Sequence, residues 1–239
     1  MNEATARGKL MLALDVDDVS RARDIAARLA PLVGTMKIGP GLFIDGGRTL
    51  IEDIKKSGNG VFLDLKIYDI PETVARACRR IAALGIGFLT VHASGGSRMI
   101  SAARDALKQS GGGTKLLAVT VLTSFEASQL KAEWKASDSV EERVLHLARL
   151  AREAGADGVV CSPLELSAIR REMGGDVLTV VPGIRAEGSP ADDQRRTLAP
   201  AEALAAGADY LVVGRPIMNA PDPVGAAREI LAQMEGAPA

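Results

Sequence analysis

The sequence predicts an α/β protein, a closed (β/α)8 barrel of the TIM type. Three observations predict it. Short apolar runs rich in β-branched residues alternate with longer Ala/Leu/Arg/Glu stretches. The alternation is strict, which implies parallel strands joined by crossover helices. It recurs eight times in 239 residues, and single barrels of about 250 residues are common, so closure fits better than an open sheet. The expected domain is one unit, residues 1–239.

Strands are expected at 9–16, 35–39, 60–67, 88–92, 115–122, 158–162, 177–182 and 210–214. Helices are expected between them at 20–32, 42–56, 71–84, 97–109, 140–154, 164–172, 200–206 and 224–235. In the first strand Leu10, Leu12 and Leu14 share one face, and Met11, Ala13 and Asp15 the other. In the second, Met36 and Ile38 oppose Thr35 and Lys37. In the third, Val61, Leu63 and Leu65 oppose Phe62, Asp64 and Lys66; in the fourth, Leu89 and Val91 oppose Thr90 and His92. Each ionisable residue falls near the C-terminal end of its strand, on the less apolar face. Those positions converge on the rim where barrel active sites are built.

Helix boundaries carry their own chemistry. Pro71 suits a first helical turn, where its missing N–H costs nothing. Gly85, Gly155 and Gly207 follow helical runs and read as stops. Ala154-Gly155-Ala156-Asp157 and Ala206-Gly207-Ala208-Asp209 are nearly one phrase, each just before a strand. Two connectors are long. Residues 123–139 have room for a short helix at 130–135, and 183–197 is a polar segment expected to act as a lid. Gly111-Gly112-Gly113 precedes a strand and is a turn, not a dinucleotide fingerprint. Tyr68 and Trp134 read as packing residues, and His92 as structural support for the rim.

Composition excludes several partners. With 29 Lys+Arg against 30 Asp+Glu the net charge is -1, which gives no field to gather nucleic acid or anionic membrane. Cys78 and Cys161 lie far apart with no CxxC, so neither a disulfide framework nor a zinc cluster is expected, only buried thiols. The apolar run before Asp15 is too short for a signal peptide, and no stretch approaches a membrane span. A cytoplasmic location is the expectation.

Four adjacent strands delivering Asp15, Lys37, Asp64/Lys66 and His92 to one rim is a chemical arrangement. Unpaired charges there would be costly, so an alternating-sign array is expected. Carboxylate neighbours favour a lysine that stays an ammonium and donates a proton, rather than an amine for Schiff-base chemistry.

The most specific segment is Asp64-Leu-Lys66-Ile-Tyr-Asp69-Ile-Pro71-Glu-Thr73. It resembles the Asp-x-Lys-x-x-Asp signature of the orotidine 5′-phosphate decarboxylase family. The resemblance runs the length of the chain, through Leu-Ala-Leu-Asp15, Lys37-Ile-Gly, Val-His92-Ala-Ser-Gly-Gly, Leu-Thr123-Ser124, Pro182-Gly-Ile-Arg185, Gln194-Arg195-Arg196 and Gly214-Arg215-Pro216. It implies decarboxylation of orotidine 5′-monophosphate to UMP without metal or organic cofactor. By that pattern Lys66 stabilises and protonates the C6 carbanion, and Asp64 holds Lys66 and Lys37. Lys37 and Asp15 meet the ribose hydroxyls, Thr123 and Ser124 the pyrimidine edge, and Pro182 the base. Arg185, Gln194, Gly214 and Arg215 are placed at the phosphate, and Thr73 among the substrate contacts. Asp69 belongs to the neighbouring site of a homodimer, although its position also suits a helix N-cap.

Two rival readings remain at this point. A magnesium-assisted sugar-phosphate decarboxylase or synthase of the same superfamily would want extra carboxylates, yet none follows Lys37 before Asp45. A non-catalytic nucleotide-phosphate binder would have no use for the full Asp15, Lys37, Asp64, Lys66 set.

Overall fold

The computed structural model describes residues 1–125, 127–135, 137–185 and 197–236. The chain runs α1 (Glu3–Lys9), β1 (Leu10–Ala13), α2 (Val19–Leu29), β2 (Thr35–Ile38), α3 (Pro40–Lys56), β3 (Gly60–Ile67), α4 (Pro71–Ala82) and β4 (Phe88–His92). It continues α5 (Gly96–Gln109), β5 (Lys115–Val119), α6 (Ala127–Glu133), α7 (Val140–Glu153), β6 (Gly158–Val160), α8 (Leu166–Met173) and β7 (Leu178–Val181). It ends α9 (Pro200–Ala205), β8 (Tyr210–Val213), α10 (Arg215–Met218) and α11 (Pro223–Glu235).

The strands form a closed barrel in chain order, all parallel, with β1 meeting β8 through Leu10↔Leu211, Met11↔Val212 and Leu12↔Val213. Closure removes every sheet edge. The period-two pattern explains the two cores. Leu10, Leu12 and Leu14 face outward and pack with Ala22, Ile25 and Leu29 of α2 in the large layer between strands and helices. Met11, Ala13, Phe62, Phe88, Leu117, Val180 and Val212 face inward and fill the cylinder. Phe62 meets Phe88 edge-on at 6.0 Å, and Phe88 meets Tyr210 at 5.1 Å, an aromatic plug across the interior.

Several strands are shorter than their apolar runs. The first is Leu10–Ala13 rather than 9–16, the fifth Lys115–Val119 rather than 115–122, the sixth Gly158–Val160 rather than 158–162. The seventh is Leu178–Val181, within the expected 177–182. Leu14, Thr120 and Cys161 each donate one last N–H to the neighbouring strand before the chain leaves for the rim. Val121 and Cys161 stay buried beyond the ladder, so their hydrophobicity serves burial, not pairing.

The repeated phrases at 154–157 and 206–209 build the same joint. Gly155 (φ 88) and Gly207 (φ 102) donate to Arg152 and Leu204, while Ala156 and Ala208 reach back to Ala151 and Ala203. These paired bonds are the Schellman closure, which needs a left-handed residue after the helix. The aspartate that follows then grips the adjacent strand: Asp157 accepts from the Leu116 N–H, and Asp209 from the Thr179 N–H. Arg170 of α8 completes the second joint. It donates to the carbonyls of Gly207, Gly174 and Val177, to the Thr179 hydroxyl and to the Asp209 carboxylate.

Helix α1 was not foreseen. It is capped by Asn2, whose side chain accepts the Thr5 N–H, and Arg7 donates to the Ala30 carbonyl. The expected short helix in the fifth connector is α6, which starts three residues earlier than 130–135 and ends two residues earlier. The polar segment expected as a lid lies largely outside the described residues. No helix among the described residues is long and apolar enough to cross a membrane. Both cysteines are buried and outside any disulfide, and burial pushes the Cys78 thiol up to about 11.

Candidate active site

The inward faces of β1, β2 and β3 bring their charged residues together above the aromatic plug. Lys37 donates to the Asp15 carboxylate at 3.1 Å and stands 3.9 Å from Asp64 Oδ2. Lys66 donates to the same Asp64 oxygen at 2.7 Å. The alternating array Asp15–Lys37–Asp64–Lys66 is therefore real, with its two middle members buried and its two ends more open, Lys66 at 35%. Side-chain exposure is 58% at Asp15 but 12% at both Lys37 and Asp64. Each lysine thus has a carboxylate partner, which offsets the cost of placing its charge in the partly buried rim.

Asp64 is fully committed. Its Oδ2 serves the two lysines, and its Oδ1 accepts from the Thr90 hydroxyl at 2.8 Å. Thr90 was seen in the sequence only as a neighbour of His92 on the inward face; its hydroxyl is the site's missed polar anchor. A second unforeseen feature is the backbone of Lys66. Its φ is 49°, the left-handed region that costs a residue with a side chain about 1–2 kcal/mol. The β3–β4 register breaks there: Leu63 faces Leu89, but Ile67 faces Val91.

The cleft holds about 910 Å³, open space at its mouth included, which suits a small-molecule ligand. Asp15, Lys37, Asp64 and Lys66 line one wall, and Thr123, Pro182, Arg185, Gly214 and Arg215 line the rest. Its floor is the top of the plug, with Ala13, Phe62 and Val212. A Cβ on Gly214 would stand 3.3 Å from Ala13 Cβ and 3.4 Å from Asp15 Oδ2, so glycine keeps this side of the rim tight. Arg185 is fixed by its N–H donating to the Leu198 carbonyl.

Other expected residues stand apart. Ser124, Asp69 and Thr73 are exposed and are not among the cleft-lining residues, and Gln194 lies outside the described residues. Asp69 is not the N-cap of α4. Ile70 occupies that position without a side-chain cap, and Asp69 accepts the Ile70 N–H at 2.6 Å instead. The helix starts at Pro71, as the sequence suggests, and with Pro71 in the first helical position the cap falls on Ile70, one residue past Asp69. Tyr68 is 61% exposed rather than packed, and touches His92 edge-on at 6.1 Å. Trp134 also keeps 45% exposure while leaning on Phe125. Among the described residues no group of three or more His, Cys, Asp or Glu could hold a metal ion.

His92 is pushed below its ordinary 6.5, by burial first and by the Lys66 charge second, with Asp64 opposing. A depressed histidine contributes stability that is present above 6.5 and is lost as pH falls through its folded value. The expected result is a smaller drop in melting temperature from pH 7.5 to 5 for His92→Gln than for the parent, read by calorimetry.

The chain matches the model of the orotidine 5′-phosphate decarboxylase / HUMPS family over residues 8–230. It is 46% identical over 235 residues to orotidine 5′-phosphate decarboxylase of Moorella thermoacetica, covering 96% of this chain and 93% of that protein. It is 48% identical to the Chromobacterium violaceum protein of the same name, over 96% of this chain and 95% of that one. The crystal structure of orotidine 5′-phosphate decarboxylase from Lactobacillus acidophilus superposes with a TM-score of 0.84 at 39% identity, covering 95% of this chain and 99% of that one. With a barrel, a charged rim and full-length relatives in agreement, this chain belongs to the orotidine 5′-phosphate decarboxylase / HUMPS family.

Proposed function

We propose that the chain, acting as one barrel unit over residues 1–239, decarboxylates orotidine 5′-monophosphate to UMP and CO2 with no metal or organic cofactor. The observation that carries the reading is the Lys66 ammonium, held at 2.7 Å by Asp64 over an apolar floor. Breaking the bond from C6 to the carboxylate releases CO2 and leaves the electron pair in an sp2 orbital at C6. The pyrimidine ring delocalises that pair poorly, so a fixed cation beside it is the stabilisation the transition state needs. Lys66 then passes one proton to C6 and is recharged from water. Asp64 keeps the amine in place, and its second tie, to Lys37, fixes the ribose end of the array.

The remaining lining divides by chemistry. Asp15 and Lys37 are suited to ribose hydroxyls, Thr123 with the adjoining Ser124 to the pyrimidine edge, and Pro182 to the ring face. Arg185 and Arg215 follow β7 and β8, the end of a barrel that commonly takes phosphate, with Gly214 allowing close approach and Gln194 on the same segment as Arg185. The chain would work in the cytoplasm. The test is loss of orotidine 5′-monophosphate absorbance in excess chelator. Turnover that persists supports the reading; turnover abolished by the chelator favours a metal-assisted sugar-phosphate reaction.

The same proposal makes the enzyme a two-fold dimer in which Asp69 serves the partner's cleft, with Thr73 among the substrate contacts. Asp69 is exposed and flanked by Tyr68 and Ile70, 61% and 67% exposed, an apolar pair suited to an interface. Mixing inactive Lys66→Ala with inactive Asp69→Ala is then expected to restore about a quarter of parental turnover, since half the dimers are hybrids with one intact site. No recovery after verified subunit exchange would place Asp69 outside the neighbour's site.

A further inference from the structure

We infer that Thr90 is a positioning residue for the reaction, resting on the decarboxylase reading above: its one hydroxyl locks both the Asp64 carboxylate and the backbone that aims Lys66. Between the paired residues Leu63↔Leu89 and Ile67↔Val91, β3 carries Asp64, Leu65 and Lys66 while β4 carries Thr90 alone. The extra residues form a bulge, a device that re-aims a side chain at the expense of ladder bonds. The Lys66 N–H takes the Thr90 hydroxyl as acceptor at 2.9 Å in place of a strand carbonyl. The same hydroxyl donates to Asp64 Oδ1 at 2.8 Å.

The direction of both bonds is forced by chemistry. A backbone amide only donates, and an ionised carboxylate only accepts, so the group between them must do both. Thr90 is fully buried here, so bulk water does not reach its hydroxyl. Without the hydroxyl the Lys66 amide has no partner and its left-handed backbone loses a restraint. Asp64 then becomes free to rotate about its remaining bonds to Lys66 and Lys37. A displacement of about 1 Å at a reacting group is enough to cost about 10²-fold in rate.

The test compares Thr90→Val, Thr90→Ser and the parent. For Thr90→Val kcat is expected to fall about 100-fold while KM stays within about threefold, and Thr90→Ser is expected to recover to within about fivefold of the parent. Amide hydrogen exchange at Lys66, measured without substrate, is expected to be slow in the parent and Thr90→Ser and fast in Thr90→Val. A Thr90→Val enzyme with parental kcat overturns the inference even if its melting temperature drops, and so does a Thr90→Ser enzyme as slow as the valine variant. If the valine variant does not fold, Thr90→Ala against Thr90→Ser makes the same comparison, differing by the hydroxyl alone. A parent protein that leaves orotidine 5′-monophosphate intact overturns the decarboxylase reading instead, and Lys66 exchange still decides whether the hydroxyl holds the bulge.

Discussion

Lys66→Met is expected to lower kcat by about 10⁵-fold, close to 7 kcal/mol of barrier, with KM for the nucleotide changed only a few-fold. Two contributions multiply. A preorganised charge at the reacting atom is worth about 10²–10³ in rate, and a positioned proton donor about 10²–10⁴. Methionine matches the length of the lysine stem but supplies neither. The substitution also takes from Asp64 its cation at 2.7 Å and leaves it Lys37 at 3.9 Å, so the carboxylate is less compensated. Lys66→Arg separates the two contributions, because guanidinium keeps the charge but does not give up its proton near neutral pH. It is expected to fall between parent and Lys66→Met. A methionine variant within tenfold of the parent would remove Lys66 from the chemistry.

The largest effect on stability is expected at the opposite end of the barrel. Arg170→Ala strips the donors from three backbone carbonyls, from the Thr179 hydroxyl and from Asp209. The Arg170 side chain is 18% exposed and Asp209 35%, so water repairs only part of the loss. Breaking a mostly buried pair costs about 3 kcal/mol, which in a chain of this size lowers the melting temperature by roughly 6–12 °C. Lysine is expected to rescue little, since one ammonium does not reproduce a planar fork that reaches five partners at once. Turnover at 25 °C should stay near the parental value, because no part of this joint lines the cleft. A change of less than 2 °C would show that the remaining Schellman bonds hold α9 to β8 unaided.

Much of this was readable from residue order. The alternation of Leu10, Leu12 and Leu14 with Met11, Ala13 and Asp15 sorts outer core from interior, and the same rule in β2 and β3 brings Lys37, Asp64 and Lys66 to one wall. The glycine stops at Gly155 and Gly207 follow from a local rule about left-handed residues. What escaped depends on pairing between segments. The bulge at Lys66 sets three residues of β3 against one of β4, and its amide bonds to the Thr90 hydroxyl of that other strand. Lysine carries no local preference for that backbone. The expected strand ends run past the observed ones because Val121 and Cys161 are apolar for burial beneath the rim, beyond the last paired residues of β5 and β6. Helix α1 is seven residues long, too short to be stable alone, and is held by contacts with Ala30 and α11 that no local pattern reveals.

The ring stack of Phe62, Phe88 and Tyr210 makes the cylinder blind at one end. A blind tube has one doorway, so whatever enters the cleft departs by the way it came. For the proposed reaction, gas and nucleotide share that exit, and the small neutral product can slip out ahead of the larger anionic one. In that reaction the proton that recharges the amine would enter by the same opening, on the side where the Lys66 side chain keeps 35% of its surface exposed.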